Sequence, residues 1–143
     1  MTVTDASDHA VVMQRIGELL RTQDNRCTSD PLFLVEQKRR IYGMDSNYFE
    51  DYEWLREDDH EHVADRIERA GLDSLAEEGE DVTGWEKLHY LDLWEFVTVC
   101  FTEQACKDYI AANGHNLNEP RIYASSAYRN HEMIAIREIL KSA

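Results

Sequence analysis

The sequence predicts an α+β fold: a single small domain in which a two- or three-stranded sheet is packed by helices, with an acidic helical middle segment. Three observations carry this reading. Strand, cap and stop signals follow one another between Trp94 and Asn130. Apolar residues near the N-terminus recur at helical spacing, and acids crowd between Asp45 and Asp81. With 143 residues, 43% of them hydrophobic, the chain is sized for one ordinary core.

In chain order, residues 1–6 are expected to be flexible, and Ser7 or Asp8 to cap a helix reaching about Gln23. Its stripe is Val12, Ile16, Leu19 and Leu20. A polar linker then runs to Asp30. Asp30 before Pro31 is a helix-start signal, because proline's missing N–H costs nothing in a first turn. Leu34, Val35, Lys38, Ile41 and Tyr42 keep helical intervals, so a helix is predicted from Pro31 to Tyr42, stopped by Gly43. Met44 to Leu55 shows no clear period and reads as an irregular or briefly extended connection.

A second amphipathic helix is predicted from about Asp59 to Ala70, with Gly71 as its stop. Val63, Ile67 and Ala70 fall on one side, and Glu57, Glu61, Asp65 and Glu68 on the other. Ser74 to Thr83 reads as an exposed acidic loop or a frayed turn. Leu88 to Leu93 alternates as a strand leading into Phe96-Val97-Thr98-Val99-Cys100-Phe101, whose β-branched and aromatic residues suit a buried strand. Thr102 offers an N-cap hydroxyl, Glu103 a negative first turn, and Asn113-Gly114 a left-handed stop. Pro120 punctuates a loop, Arg121 to Ala124 can form a short strand, and Asn130 can cap a last helix ending near Lys141.

Charge is the extreme property. The formal net charge is −14, and the segment 45–81 holds 15 acids against Arg56, Arg66 and Arg69, or −12. Such a balance opposes binding to nucleic acid or anionic membranes by the molecule as a whole. No run approaches the roughly 18 apolar residues of a membrane span, and no leader-like segment opens the chain, so a cytoplasmic protein is expected. Cys27, Cys100 and Cys106 form no CxxC pair. Cys100 and Cys106 read as small core residues.

Motifs that specify a reaction are missing: there is no HExxH, GxSxG or phosphate-binding glycine loop. The sequence predicts neither enzyme, cofactor nor metal site. His60 and His62, with Asp58, Asp59 and Glu61 nearby, would diverge by about 200° on the expected helix, which argues against chelation. Two binding surfaces are legible instead. The first is acidic: Glu57, Glu61, Asp65 and Glu68, supported by Glu77, Glu78, Glu80 and Asp81. It suits a partner protein whose basic groove handles nucleic acid, and its plain alternative is a solvated helix face. The second is basic and aromatic: Lys38, Arg39, Arg40, Arg121, Tyr123, Tyr128 and Arg129. These types can stack on bases and grip phosphates, or simply pack and pair within the chain. Together the two surfaces would permit head-to-tail self-association.

The run WEFVTVCFTEQACKDYIAANGHNL, followed by EPRIYASSAYRN and preceded by DPLFLVEQKRRIYG, resembles small proteins encoded by bacteriophages and prophages. That resemblance spans about half the chain and implies a genomic setting, not a reaction. Taken with the acidic surface, that setting gives the concrete expectation: an accessory protein acting in the host cytoplasm and inhibiting a defence or nucleic-acid-handling machine, as an anti-CRISPR-like DNA mimic would. The alternative is a nucleic-acid-binding accessory protein using the Arg/Tyr/Lys surface.

Overall fold

The computed structural model describes residues 6–26 and 28–143; the expectations for residues 1–5 and Cys27 lie outside them. The elements in order are α1 (Ala6–Thr22), β1 (Pro31–Met44), β2 (Tyr52–Arg56), α2 (Arg66–Glu77), β3 (Trp85–Cys100), α3 (Glu103–Asn113), a 3-10 turn (Gly114–Asn116), β4 (Arg121–Ser126) and α4 (His131–Lys141). The fold is α+β, but its sheet has four strands in the order β2-β3-β1-β4, not two or three. Two compact units are present: residues 1–38 with 94–143, and residues 39–93.

The extra strands come from segments that sequence patterning misassigns or leaves open. Pro31 to Gly43 is not a helix; it belongs to β1, the strand between β3 and β4. Along its first five residues burial alternates, with Pro31, Phe33 and Val35 inside. Leu32-Phe33-Leu34-Val35 satisfies a period of two as well as one of 3.6, and pairing on both flanks decides for the strand. Pro31 is tolerated because it opens the strand opposite Ser126, where it need not donate to the ladder. The segment 44–55 is briefly extended at its end, where Tyr52 to Arg56 pairs antiparallel with Trp85 to His89.

In the first unit, Phe33 and Val35 are fully buried with Cys106 of α3, and Val97, Tyr109, Ile110, Ile122 and Ala124 pack around them. Burying Phe33 or Val35 stabilises by about 1.5–3 kcal/mol each. Thr102 caps α3 as expected: its Oγ1 accepts from the Ala105 N–H at 3.2 Å. Asn130 does the same for α4 through Met133. Gly114, however, is right-handed (φ −55°), and α3 passes into the 3-10 turn instead of stopping on a left-handed residue. α1 packs closely on α4 at Gly17. Arg137 of α4 is 1% exposed, and its guanidinium holds the linker through Asn25 Oδ1 at 3.0 Å, the Ser29 carbonyl at 3.4 Å and Asp30 at 3.8 Å.

In the second unit, Trp54 of β2 is buried with Ala64 and Leu72 beneath Tyr52, Val82 and Trp85. The second helix starts later than its apolar spacing suggests. Asp65 and Glu68 form a reciprocal capping box: Asp65 Oδ1 accepts from the Glu68 N–H at 2.8 Å, and Glu68 Oε1 from the Asp65 N–H at 3.3 Å. Gly71 sits inside α2 with open space around it and stops nothing. The stop is Gly79 at φ +72°: its N–H donates to Ala76, and the Glu80 N–H to Leu75, closing a Schellman motif.

Candidate functional site

The candidate site lies in the second unit, which holds 17 acids against six bases, a net −11, while the rest of the chain holds 12 against nine, a net −3. What matters is which acids the unit neutralises itself. Arg40 on β1 grips Asp92 on β3 with two bonds of 2.8 and 2.9 Å, stands 3.9 Å from Glu53, and lies over the Tyr90 ring at 3.7 Å. The hydrogen bonds it donates to Asp92 hold this guanidinium well above its usual pKa, with burial opposing. Arg69 serves Glu53 at 3.5 Å and Asp73 at 4.0 Å.

Asp73 is the hub of this unit. Its Oδ1 accepts from the Tyr52 hydroxyl and from the Trp54 indole N–H, both at 2.9 Å. Burial pushes this carboxyl up, but the two hydrogen bonds and the charges of Arg69 and Lys87 outweigh it and leave the pKa below the usual value. Arg69 and Lys87 both lie over the Tyr52 ring, at 4.4 and 4.0 Å. Arg40, Arg69 and Lys87 are thus spent on Glu53, Asp73 and Asp92, which fix the scaffold.

Eight of the carboxylates left outside that network fall in two exposed runs. One is the turn Glu57, Asp58, Asp59 and Glu61, where Arg56 meets Asp58 at 3.8 Å. The other is Glu77, Glu78, Glu80 and Asp81 at the end of α2. Asp81 is kept ionised by the hydroxyl and N–H of Thr83, which lower its pKa. α2 carries no base in its last turn, so Glu77 and Glu78 stand against the negative end of its dipole.

The acidic ridge expected on one helix face is therefore not formed. Glu57 and Glu61 precede α2, Asp65 is its N-cap, and Glu68 is half-buried and closes the capping box. The capping box moves the helix start to Arg66 and takes these residues off a common face. Glu77, Glu78, Glu80 and Asp81 do lie together in sequence and are exposed. His60 and His62 occupy the preceding turn, not a helix, and part company there. His60 Nε2 meets Glu86 at 3.1 Å, and His62 meets the Trp85 ring edge-on at 5.6 Å. Among the described residues no group of three His, Cys, Asp or Glu is arranged to hold a metal ion.

The basic and aromatic residues divide between the units: Lys38, Arg121, Tyr123, Tyr128 and Arg129 in one, Arg39 and Arg40 in the other. Lys38 pairs with Glu119 at 3.3 Å. Arg121 donates to Glu36 at 2.9 Å and lies over Trp94 at 3.9 Å and beside Tyr123 at 5.5 Å. Tyr128, largely exposed, carries Arg129 at 5.1 Å. Pairing within the chain was one of the two readings of these cations, but which acids answer them was not legible, because Glu36 and Arg121 are neighbours only through the β1–β4 register. Sequence reasoning also missed Asp73, for which no local signal exists.

No protein-family model, no curated protein and no solved structure matches this chain. Among the described residues, no helix is long and apolar enough to cross a membrane.

Proposed function

We propose that the chain is a non-enzymatic binding protein that docks its acidic unit on the cationic, nucleic-acid-binding groove of a partner protein and blocks it. The observation that carries this reading is the placement of Glu77 and Glu78. At the C-terminus of α2 a carboxylate destabilises the helix, typically by about 0.3–1 kcal/mol, and no base in that turn relieves it. Acids kept where they cost stability are readily explained by something outside the fold. Glu77, Glu78, Glu80 and Asp81 also place four negative charges within five residues, a concentration that suits a cationic groove.

The resemblance to phage-encoded proteins supports a host machine as the target. The alternative, direct nucleic-acid binding by the basic surface, is less well supported because Lys38, Arg40 and Arg121 already face Glu119, Asp92 and Glu36. The test uses the chain as bait in bacterial lysate beside a variant with Glu77, Glu78, Glu80 and Asp81 changed to Lys. Proteins held by the parent should be lost by the variant, released by rising salt, and displaced by duplex DNA. Equal recovery by the variant, at unchanged helicity, rejects the reading.

A further inference from the structure

The two edges of the sheet are finished differently. At the β2 edge the following segment covers the strand: the Arg56 N–H donates to the His62 carbonyl at 3.1 Å, the Ala64 N–H to Trp54 at 2.8 Å, and Leu55 bridges Val63. β4, at the other edge, has no such cover among the described residues. The Ala127 N–H donates to the Asp30 carbonyl at 2.9 Å, which fixes the alternation along the ladder. Ser125 and Tyr123 are then the residues bonded to β1, and the N–H and C=O of Ile122 and Ala124 point away from it. From Ile122 to Ser126 there is none of the proline or lysine that commonly guards an edge. A groove of about 690 Å³ adjoins this strand, lined by Ile122 and Ala124 together with Asp24, Thr28, Phe33 and Glu103.

We propose that the groove takes an extended, cationic peptide segment of a partner protein, which adds to β4 as a further strand. Main-chain bonds to Ile122 and Ala124 would supply affinity, and alternate side chains would enter the groove beside Phe33. Six residues of β4 offer room for about 20 Å of extended chain. The sign of the occupant follows from charge. Asp24 and Glu103 outnumber Arg26, which pairs with Glu103, and the whole chain at −14 attracts a cationic segment and repels an acidic one. The same repulsion disfavours a second copy of this chain as the occupant. The groove belongs to the unit that does not contain the acidic runs, so it stands or falls independently of them.

The test pans a displayed library of short random peptides on the full chain and on two variants. Ala124→Pro removes one outward N–H without breaking a bond to β1. Thr28→Trp fills the groove from the linker; it gives up the Thr28 hydroxyl's bond to Ser126 Oγ at 3.3 Å but none of the main-chain bonds of the ladder. Enriched peptides should be cationic with alternating apolar residues, bind the parent about tenfold or more tighter than either variant, and slow amide exchange at Ile122 and Ala124. Should Ala124→Pro not fold, Thr28→Trp decides alone. No enrichment, peptides that bind Thr28→Trp as tightly as the parent, or protection confined to residues 39–93 would each overturn the proposal. So would protection of Ile122 and Ala124 that grows with protein concentration in the absence of peptide, which identifies a second copy as the occupant.

Discussion

Replacing Glu78 with Lys should stabilise α2. Glu78 is the C-cap of the helix and is exposed. It stands at the terminus equivalent to about half a negative charge. Glutamine at this position removes one unfavourable interaction of about 0.3–1 kcal/mol, and lysine adds a favourable one of similar size, for a total of about 0.6–2 kcal/mol at low ionic strength. Amide exchange within Arg66–Glu77 reads this locally and should slow by roughly 3- to 30-fold for Lys, with Gln between. The gain should shrink near 1 M salt, where the Debye length falls to about 3 Å. Glu57→Lys is the control: it changes the net charge equally from an exposed turn outside any helix, and should move stability by less than about 0.5 kcal/mol. If Glu78→Lys leaves exchange unchanged or speeds it, the acids at the end of α2 carry no stability cost, and a binding role for them is refuted.

Two helical glycines should answer alanine in opposite directions. At Gly17 a Cβ would lie 2.3 Å from the Leu140 carbonyl oxygen, so Ala should destabilise by about 1–3 kcal/mol in urea denaturation. At Gly71, with open space around it, Ala should stabilise by about 1 kcal/mol; a shared sign would refute the α1–α4 contact. Tyr52→Phe removes one of the two bonds to Asp73 and should cost about 1–3 kcal/mol at neutral pH. The folded pKa of Asp73 lies below its unfolded value near 3.8, so its contribution is present above that pH and is lost as pH falls through the folded value. The variant, with a higher folded pKa, should begin acid unfolding at a higher pH; coincident acid limbs in a circular-dichroism titration would count against the hub.

The sequence by itself determined the features whose physics is local. Thr102 and Asn130 cap their helices because a hydroxyl or amide three residues before an orphan N–H needs no help from the rest of the chain. The strand before Thr102 and the excess of acids in the middle were legible too, but the strand's expected burial fails, since Phe96 and Val99 are exposed. The late start of α2 was also written locally, in Asp65-Arg66-Ile67-Glu68, but the apolar spacing upstream drew the boundary too early. Tertiary structure alone decided the rest. Leu32-Phe33-Leu34-Val35 fits two periods, and only pairing with β4 and burial of Phe33 and Val35 against α3 make it a strand. Whether a cation is spent or available likewise depends on partners far along the chain, as with Arg40 and Asp92 or Arg121 and Glu36. Those pairings are set by strand register, which residue spacing does not encode.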